Sequence, residues 1–295
     1  MKIKVLSQKI LGRFKGLFFI KAVLKGFDYK IGNDVFYRKY NEIGNEVVLP
    51  IQRMAGIGNR IKSMAAHLSY YKTKEMFLAW PSSGWVNKSF KDLFDLSQTD
   101  YKIKEIDRQI PIIESDFVTQ LEEKYGSVLI NKSDIISIEM SSYEKISDIV
   151  SQHYGHFFSS LKPSSKVLQR INSIKLPSEF LSLYIRNNYD WAKFSRESSL
   201  SEFADVLKSN SLPVYLSCMN YETSLAFRKL YNGEIIELAD KNYNSTIDAV
   251  ADLYILSKGK NAVYSYGSTF CELAFYLSGG KQKVSVVGTR KHWIK

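Results

Sequence analysis

The second half of the sequence alternates short strand-like runs with helical segments, and this rhythm constrains the fold more than any other feature. From Leu181 onward, five apolar runs begin with LSLYIR and end with KVSVVG. Helical patterns of about 10 to 15 residues separate them. Strands and helices in this alternation form right-handed βαβ units, which build a parallel sheet with helices on both faces. The first half repeats the pattern less regularly, with EVVLPI, EMFLAWP and YKIKEID as strand candidates. We therefore predict an α/β protein with two Rossmann-like domains.

The domain boundaries follow from where this pattern is weakest. Residues 111–166 are the least regular stretch, although SYEKISDIVSQHYGHFFSSL has a helical pattern, and KPSSK around Pro163 is typical of a linker or an interdomain turn. We divide the chain into a basic amphipathic segment of residues 1–30, a first domain of residues 31–165 and a second domain of residues 166–295. Two cysteines are too few for a disulfide framework or a four-cysteine zinc site, and no apolar run is long enough to span a bilayer.

Most of the positive charge lies at the start of the chain. The whole sequence has a net charge of +11, from 41 basic and 30 acidic residues. Residues 1–30 hold eight lysines and arginines against Asp28 alone, which assigns +7 to this segment and +4 to the rest of the chain. A nucleic-acid-binding protein would carry basic charge on its body as well, so that class fits poorly.

The basic segment also has the pattern of an amphipathic helix. Within residues 1–26, apolar side chains recur every three or four positions, and lysines fill much of the remainder. Such a helix suits the surface of an anionic bilayer. We expect a cytoplasmic protein with peripheral contact to the inner face of the plasma membrane. The alternative is a helix that packs on the domain and shows its lysines to water.

Open parallel sheets bind their ligands beyond the carboxyl ends of the strands, and three segments occupy such positions. The first, GIGNR, lies between strand-like EVVLPI and helical IKSMAAHLSYYKT. Its glycines let a ligand approach the backbone, the helix start offers free N–H groups, and its arginine adds a cation. A plain tight turn explains the same residues equally well. The candidate binding residues in this segment are Gly56, Gly58, Asn59 and Arg60.

The other two segments follow strands of the second half. Arg186 leaves the end of a buried strand just after Tyr184, where a guanidinium is suited to hold a phosphate by two hydrogen bonds. A structural ion pair is the alternative. The third segment places Gly267, Ser268 and Thr269 between a strand and a helix. Glycine and hydroxyl groups at a helix start can cradle an anion, whereas ordinary N-capping by Ser268 or Thr269 accounts for the same residues.

These segments, in this order, resemble the nucleotide-sugar-dependent fucosyltransferase superfamily, which includes the nodulation and core α1,6-fucosyltransferases and the protein O-fucosyltransferases. GIGNRIKSMAAHLSYYK resembles its G-[LI]-G-N-R loop and helix, YIR its H-x-R motif, and DAVADLYILSKGKNAVYSYGSTFCELAFYLSGG its last donor-binding helix, strand and serine-rich turn. The resemblance covers residues 47–95 and 181–288. It implies a GT-B fold, in which two facing Rossmann-like domains have parallel sheets, the second domain holds the donor nucleotide, and no metal is obligatory.

The resemblance also assigns roles. It implies that Arg186 holds the diphosphate and that Asp252 reads the base, since one carboxylate can accept from guanine N1–H and N2–H together. A solvated or capping carboxylate is the alternative for Asp252. Two positions depart from the superfamily pattern, because Tyr184 stands in the place of its histidine and Asn187 in the place of its second arginine. A GDP-sugar is the first expectation for the donor, and these departures leave room for another nucleotide.

Transfer of a sugar with inversion needs a base that removes the acceptor proton. The candidates are Asp190 and Glu197, in the loop after the Arg186 strand, each with a solvated loop carboxylate as the alternative. His153 and His156 come next. No D-x-D occurs in the sequence, so the carboxylate pair that holds a metal in many other glycosyltransferases is missing. Cationic side chains and backbone groups must then stabilise the leaving diphosphate. We expect neither a metal site nor a cofactor.

The leading hypothesis is a metal-independent glycosyltransferase that moves fucose or a related sugar from a GDP-sugar onto a bacterial surface glycan or a lipid-linked acceptor. The basic segment would keep the enzyme near such an acceptor. The alternative is a catalytically silent nucleotide- or glycan-binding module on the same fold, which the changes at Tyr184 and Asn187 favour.

Overall fold

The computed structural model describes residues 42–43, 46–50, 56–71, 74–80, 82, 86–105, 155–186 and 199–288. Within these ranges the strands are β1 (Glu42–Ile43), β2 (Glu46–Pro50), β3 (Glu75–Ala79), β4 (Phe94–Asp95), β5 (Lys102–Glu105), β6 (Lys162–Pro163), β7 (Leu181–Ile185), β8 (Val214–Cys218), β9 (Ile235–Ile236), β10 (Asn261–Ser265) and β11 (Lys283–Val287). The helices are α1 (Ile57–Tyr71), α2 (Phe90–Leu93), α3 (Gly155–Ser160), α4 (Ser165–Ile171), α5 (Leu200–Val206), α6 (Tyr221–Arg228), α7 (Thr246–Leu256) and α8 (Thr269–Leu277). Every strand that the alternation predicts is confirmed.

Two sheets carry the fold. In the first, the strand order is β1-β2-β3-β5, where β2, β3 and β5 are parallel and β1 pairs antiparallel with β2. In the second, the order is β11-β10-β7-β8-β9, and all neighbouring strands are parallel. The chain runs outward from β7 to β9 and then returns to the other side of β7 with β10. This reversal between β7 and β10 is a topological switch point, where open parallel sheets form a crevice at their carboxyl edge.

The second sheet is covered by helices on both faces. All five residues of β7 and all five of β8 are buried, as expected for central strands between two helical layers. On one face, Leu183 and Leu216 pack with Phe203 of α5 and Phe227 of α6. On the other face lie α7 and α8, which bury most of their side chains.

One hydrophobic cluster joins the two halves of the molecule. It contains Met64 of α1 and Leu78 of β3 together with Leu253 of α7 and Phe275 of α8, and α1 packs directly along α8. The predicted boundary between residues 165 and 166 falls in the first turn of α4. This helix packs on α7 of the second half, so a boundary drawn by packing places all of α4 with the second half.

The KPSSK segment is not a free linker, whereas the alternative of an interdomain turn stays a prediction. Its first two residues form β6, which pairs antiparallel with β4. Ser164 caps α4 by accepting the Val167 N–H at 3.3 Å, and its hydroxyl donates to the Asp92 carbonyl at 2.7 Å. Serine is favoured both at turns and at helix N-caps because its short side chain forms hydrogen bonds with the nearby backbone. The helix α4 itself was not expected from the sequence.

The predicted basic segment of residues 1–30 lies outside the described residues. In the part of the chain that the structure describes, no helix combines the length and the apolar character that a membrane crossing requires.

Candidate functional site

The carboxyl edge of the second sheet brings two of the three predicted segments together at the switch point. Arg186 directly follows β7, and its Nη1 donates to the carbonyl oxygen of Gly267, which follows β10, at 3.1 Å. The Arg186 backbone N–H donates to Ser265 Oγ at 2.7 Å, and this hydroxyl donates to the Tyr184 carbonyl at 3.3 Å. The buried Ser265 therefore ties the ends of β7 and β10 together. Arg186 is only partly buried, as a cation that binds a ligand must be.

The turn between β10 and α8 has the geometry of an anion cradle. Gly267 has φ +66°, in the left-handed region that favours glycine. Ser268 is the N-cap residue of α8, but its side chain makes no capping hydrogen bond, so the alternative of ordinary N-capping by Ser268 is wrong. Thr269 is the first residue of the helix. The first N–H groups of a helix have no partner within it and carry the positive end of its dipole, so this turn offers donors to an anion beside the Arg186 guanidinium.

Tyr184 lies beside this turn but packs into the protein. Its ring is 4.9 Å from the ring of Phe270, measured between centroids, and only 7% of the residue is exposed. Burial raises the pKa of the Tyr184 hydroxyl, so it stays neutral. The ring belongs to the hydrophobic cluster that joins the two halves. The predicted contact between Tyr184 and a nucleotide stays a prediction, and the surroundings of the ring are those of a core residue.

The GIGNR segment meets the start of α8, so all three predicted segments lie at one place. The helix α1 begins at Ile57, which puts Gly58 and Asn59 in its first turn and not in a loop before it. A Cβ atom on Gly58 would lie 2.3 Å from the carbonyl oxygen of Thr269, whereas one on Gly56 would meet nothing within 4 Å. Gly58 is therefore required for the close approach of α1 to α8, and Asn59 is the exposed residue beside it.

Arg60 does not have the position expected of a phosphate ligand. Its exposed fraction is 0%, and its guanidinium carbon lies 4.9 Å from the centroid of the Trp80 ring. Burial lowers the pKa of Arg60 to about 10, which leaves it charged at neutral pH. A fully buried guanidinium cannot touch a ligand in the crevice unless the packing around it changes. Its predicted role as a diphosphate cation therefore stays a prediction without geometric support.

A buried ion pair crosses the contact between α1 and α8, and the sequence analysis missed it. The Lys62 ammonium pairs with the Glu272 carboxylate, and the two side chains are 1% and 9% exposed. The signal that could have revealed it is a single carboxylate inside the otherwise apolar helix TFCELAFYL. A buried charge needs a partner, so that carboxylate predicts a lysine or arginine on the helix it faces.

Asp252 on α7 is buried, so the alternative of a solvated or capping carboxylate is wrong. Its Oδ1 accepts from the Tyr215 hydroxyl at 2.5 Å, and its Oδ2 accepts from Ser217 Oγ at 2.7 Å and from Lys241 Nζ at 2.6 Å. Burial opposes the charge on Lys241, yet Asp252 raises the pKa of that lysine overall. Lys241 also donates to the Cys218 carbonyl at 3.3 Å. Base reading by Asp252 stays a prediction, and it requires one of these donors to give way to guanine.

Several predicted residues lie outside the described part of the chain, namely Asn187, Asp190, Glu197 and His153. His156 is exposed on α3, with its ring 6.4 Å from that of Tyr101 between centroids, which agrees with a helix-surface histidine. Among the described residues, no group of three histidine, cysteine, aspartate or glutamate side chains is arranged to hold a metal ion.

The two sheets and the hydrophobic core that they share form a GT-B fold, and solved structures of fucosyltransferases show the same fold. NodZ α-1,6-fucosyltransferase, co-crystallized with GDP, has a TM-score of 0.51 and 13% identity, over 78% of this chain and 92% of its own. POFUT1 in complex with GDP-fucose has a TM-score of 0.51 and 12% identity, over 82% and 98%. A variant of FUT1 from Arabidopsis thaliana in complex with GDP has a TM-score of 0.52 and 15% identity, over 88% and 75%.

These identities are low, so the similarity establishes the fold and leaves the activity to be argued from the site. No protein-family model matches the chain, and no curated protein sequence does either.

Proposed function

We propose that this protein is an inverting glycosyltransferase that transfers fucose or a related sugar from a nucleotide diphosphate sugar, without a required metal. The acceptor is a bacterial surface glycan or a lipid-linked precursor of one. One observation carries the proposal: the partly buried Arg186, the left-handed turn at Gly267 and the uncapped start of α8 lie together at the switch point of a GT-B fold.

The chemistry of the leaving group explains why these groups are suited to the reaction. When the bond between the sugar and the diphosphate breaks, negative charge grows on the phosphate oxygens. A fixed guanidinium and preorganised backbone N–H groups stabilise that charge more in the transition state than in the ground state. Arg186 is held in place by Gly267 and through its backbone by Ser265, so little reorganisation is needed when the donor binds.

GDP-fucose is the first donor to test, because NodZ was crystallized with GDP and POFUT1 with GDP-fucose. The residues of this chain do not decide which nucleotide base the donor carries. Tyr184 packs into the core where the superfamily has its histidine, and the oxygens of Asp252 already accept three protein donors. A different base or sugar would be accommodated by changes at these two positions.

The test is the unfolding temperature of the purified protein with GDP, UDP, CMP and dTDP, each with and without EDTA. A nucleotide at 100 times its dissociation constant stabilises the folded state by about 2.7 kcal/mol. We expect a rise with GDP that EDTA does not change. A rise with another nucleotide would keep the enzyme class and change the donor. A rise that EDTA abolishes would contradict metal independence, and no rise with any nucleotide would contradict the proposal.

The base that removes the acceptor proton is proposed to be Asp190 or Glu197, which lie outside the described residues. Neutral amides cannot accept the proton, so either Asp190→Asn or Glu197→Gln should lower kcat with little change in nucleotide affinity. The variant that does so identifies the base. Unchanged kcat in both variants would exclude this pair.

A catalytically silent nucleotide-binding module is the second candidate, because Tyr184 is buried against Phe270 where a ligand-contacting histidine is expected. The two candidates differ in turnover. An enzyme releases GDP from GDP-fucose when an acceptor extract is supplied, and Arg186→Ala slows this release by about a hundredfold or more. A silent module binds GDP, loses that binding with Arg186→Ala, and releases no GDP under any condition.

We further propose that residues 1–26 hold the enzyme on the inner face of the plasma membrane, in the cytoplasm, near a lipid-linked acceptor. The pattern of lysines and apolar residues in this segment supports the proposal. Deletion of residues 1–26 should release the protein from anionic vesicles and spare transfer to a soluble acceptor. Unchanged vesicle binding by the shortened chain would contradict it.

A further inference from the structure

A groove of about 300 Å³ lies among α3, β6, α4 and the carboxyl-terminal ends of α7 and α8, away from the crevice. Its walls include Tyr254, two residues before the end of α7, Leu277 at the end of α8, and Phe158 of α3. The nine residues of α8 separate this groove from the Ser268 turn, a distance of about 13 Å at 1.5 Å per helical residue. We call it the distal groove, and it is separate from the candidate donor site. Its volume is at the lower end of the range for small-molecule sites, about 300 to 1,000 Å³.

The walls of the distal groove are mainly apolar, and one buried hydroxyl in them lacks a hydrogen-bond partner among the described residues. Phe158 and Leu161 are buried, whereas Leu168 at the edge is 45% exposed. Tyr254 also lines the groove, and within the described part of the chain its buried hydroxyl has no hydrogen-bond partner. A ligand with an apolar body would cover the exposed part of these walls.

Two lysines at the distal groove favour a negatively charged ligand. Lys162 and Lys258 line the groove and are exposed, and neither makes an ion pair within the described residues. Lys162 Nζ donates to the Ser159 carbonyl at 2.9 Å, which holds it near the wall. No acidic side chain lines the groove in the described part of the chain. The positive charge disfavours the basic segment of residues 1–26 as the occupant and favours an anion.

We propose that the distal groove binds a lipid that carries a phosphate headgroup. The alkyl chain lies over Leu168 at the edge of the groove, and the phosphate lies between Lys162 and Lys258. Such a site would position the protein on a lipid monophosphate at the membrane. The inference goes beyond the proposed transfer reaction and does not depend on it.

Calorimetric titration of the full chain with decyl phosphate tests this assignment, with decanol and inorganic phosphate as the two partial ligands. We expect saturable binding of decyl phosphate and at least about tenfold weaker binding of decanol, which lacks the charge-assisted contacts. The double variant Lys162→Gln/Lys258→Gln should weaken decyl phosphate by about tenfold. Lys260→Gln is the matched control and should leave the affinity unchanged, because Lys260 lies outside the groove and pairs with Glu179.

One further variant makes the proposal open to contradiction, and unfolding temperatures are measured for every variant. Arg186→Ala should bind decyl phosphate as the wild type does. Three results would overturn the proposal: no saturable binding by the wild type, equal affinity for decanol, or loss of binding in Arg186→Ala, which would place the phosphate in the crevice.

Discussion

The crevice edge of the second sheet and the contact between α1 and α8 lie side by side, but their charged residues have opposite surroundings. At the crevice edge, Arg186 is partly exposed and is held by the Gly267 carbonyl. At the helix contact, Arg60 and Lys62 are 0% and 1% exposed. A charge that binds a ligand must keep an accessible side, whereas a charge inside a helix contact needs a protein partner and fixes how the helices pack.

Arginines and lysines occur in both regions of the sequence, so the sequence cannot tell which charges bind a ligand and which fix the packing of the helices. The structure separates these two roles. We expect substitutions at the crevice edge to change binding and transfer while leaving the fold intact. Substitutions at the helix contact should lower the free energy of unfolding first. Substitutions in both regions test this division.

The largest effect is expected for Arg186→Ala. Loss of the guanidinium should lower the rate of transfer by about a hundredfold to a thousandfold, equivalent to about 3 to 4 kcal/mol of transition-state stabilisation. The rate of GDP release from GDP-fucose measures it. Arg228→Ala is the matched control, since Arg228 is a surface residue paired with Glu237 and should leave the rate unchanged. If Arg186→Ala is as fast as the wild type, the assignment of Arg186 as a ligand-binding charge is wrong.

The next effect concerns the buried pair between α1 and α8. Lys62→Met removes the ammonium and leaves the Glu272 carboxylate buried beside an apolar side chain. Breaking one side of a buried pair costs about 3 to 5 kcal/mol, so we expect a loss of about 3 kcal/mol in urea unfolding. The double variant Lys62→Met/Glu272→Leu should recover most of this loss. If Lys62→Met is as stable as the wild type, the pair does not hold the two halves together.

Alanine substitutions at two glycines of the GIGNR segment should differ in their effect on the free energy of unfolding. In Gly58→Ala, the new methyl group collides with the Thr269 backbone, since a Cβ there would lie 2.3 Å from its carbonyl oxygen. Overpacking of this kind costs about 1 to 3 kcal/mol. Gly56→Ala is the control, because a Cβ at Gly56 meets nothing within 4 Å. Equal stability of the two variants, measured by urea unfolding, would contradict the close approach of α1 to α8.

The smallest effect is expected at the pair of the half-buried Asp92 on α2 and the exposed Lys166 on α4, whose charged atoms are 2.8 Å apart. Hydrogen bonds from Lys166 and Ser89 lower the pKa of Asp92 from 3.8 to about 2. Because the folded value lies below the unfolded one, the ionised carboxylate stabilises the fold above about pH 4, and this contribution is lost as the pH falls toward about 2. Solvent screening limits it to about 1 kcal/mol.

Urea unfolding of the wild type and Asp92→Asn at about pH 5 and about pH 2.5 measures this contribution. The wild type should be the more stable protein at the higher pH, and the difference should shrink at the lower one. A difference that does not change with pH would show that Asp92 acts through something other than its charge.

The sequence predicted the fold well because the strand and helix pattern is local. Each strand of the second sheet is a short apolar run, and Ser199 begins α5 with a capping box that can be read from the sequence SLSE. The meeting of the segments after β7 and β10 also followed from strand order, since the carboxyl ends of parallel strands share one edge. The GIGNR segment follows a strand of the other sheet and meets them through the packing of α1 on α8. The GT-B fold itself came from the resemblance.

The environment of individual side chains could not be predicted in the same way. Arg60 and Arg186 both follow candidate strands, but Arg60 is buried against Trp80 whereas Arg186 is partly exposed and donates to the Gly267 carbonyl. The donors to Asp252 come from Tyr215, Ser217 and Lys241, which are distant in sequence. Burial depends on such long-range contacts, which no local pattern encodes.

The most direct test of the account is calorimetric titration of GDP into the wild-type protein and into Arg186→Ala, with the unfolding temperature of each measured without nucleotide. We predict that the wild type binds GDP, that Arg186→Ala binds it at least about tenfold more weakly, and that the two unfold at the same temperature. Equal GDP affinity in the two proteins, or no GDP binding by the wild type, would contradict the assignment of this crevice as a nucleotide diphosphate site.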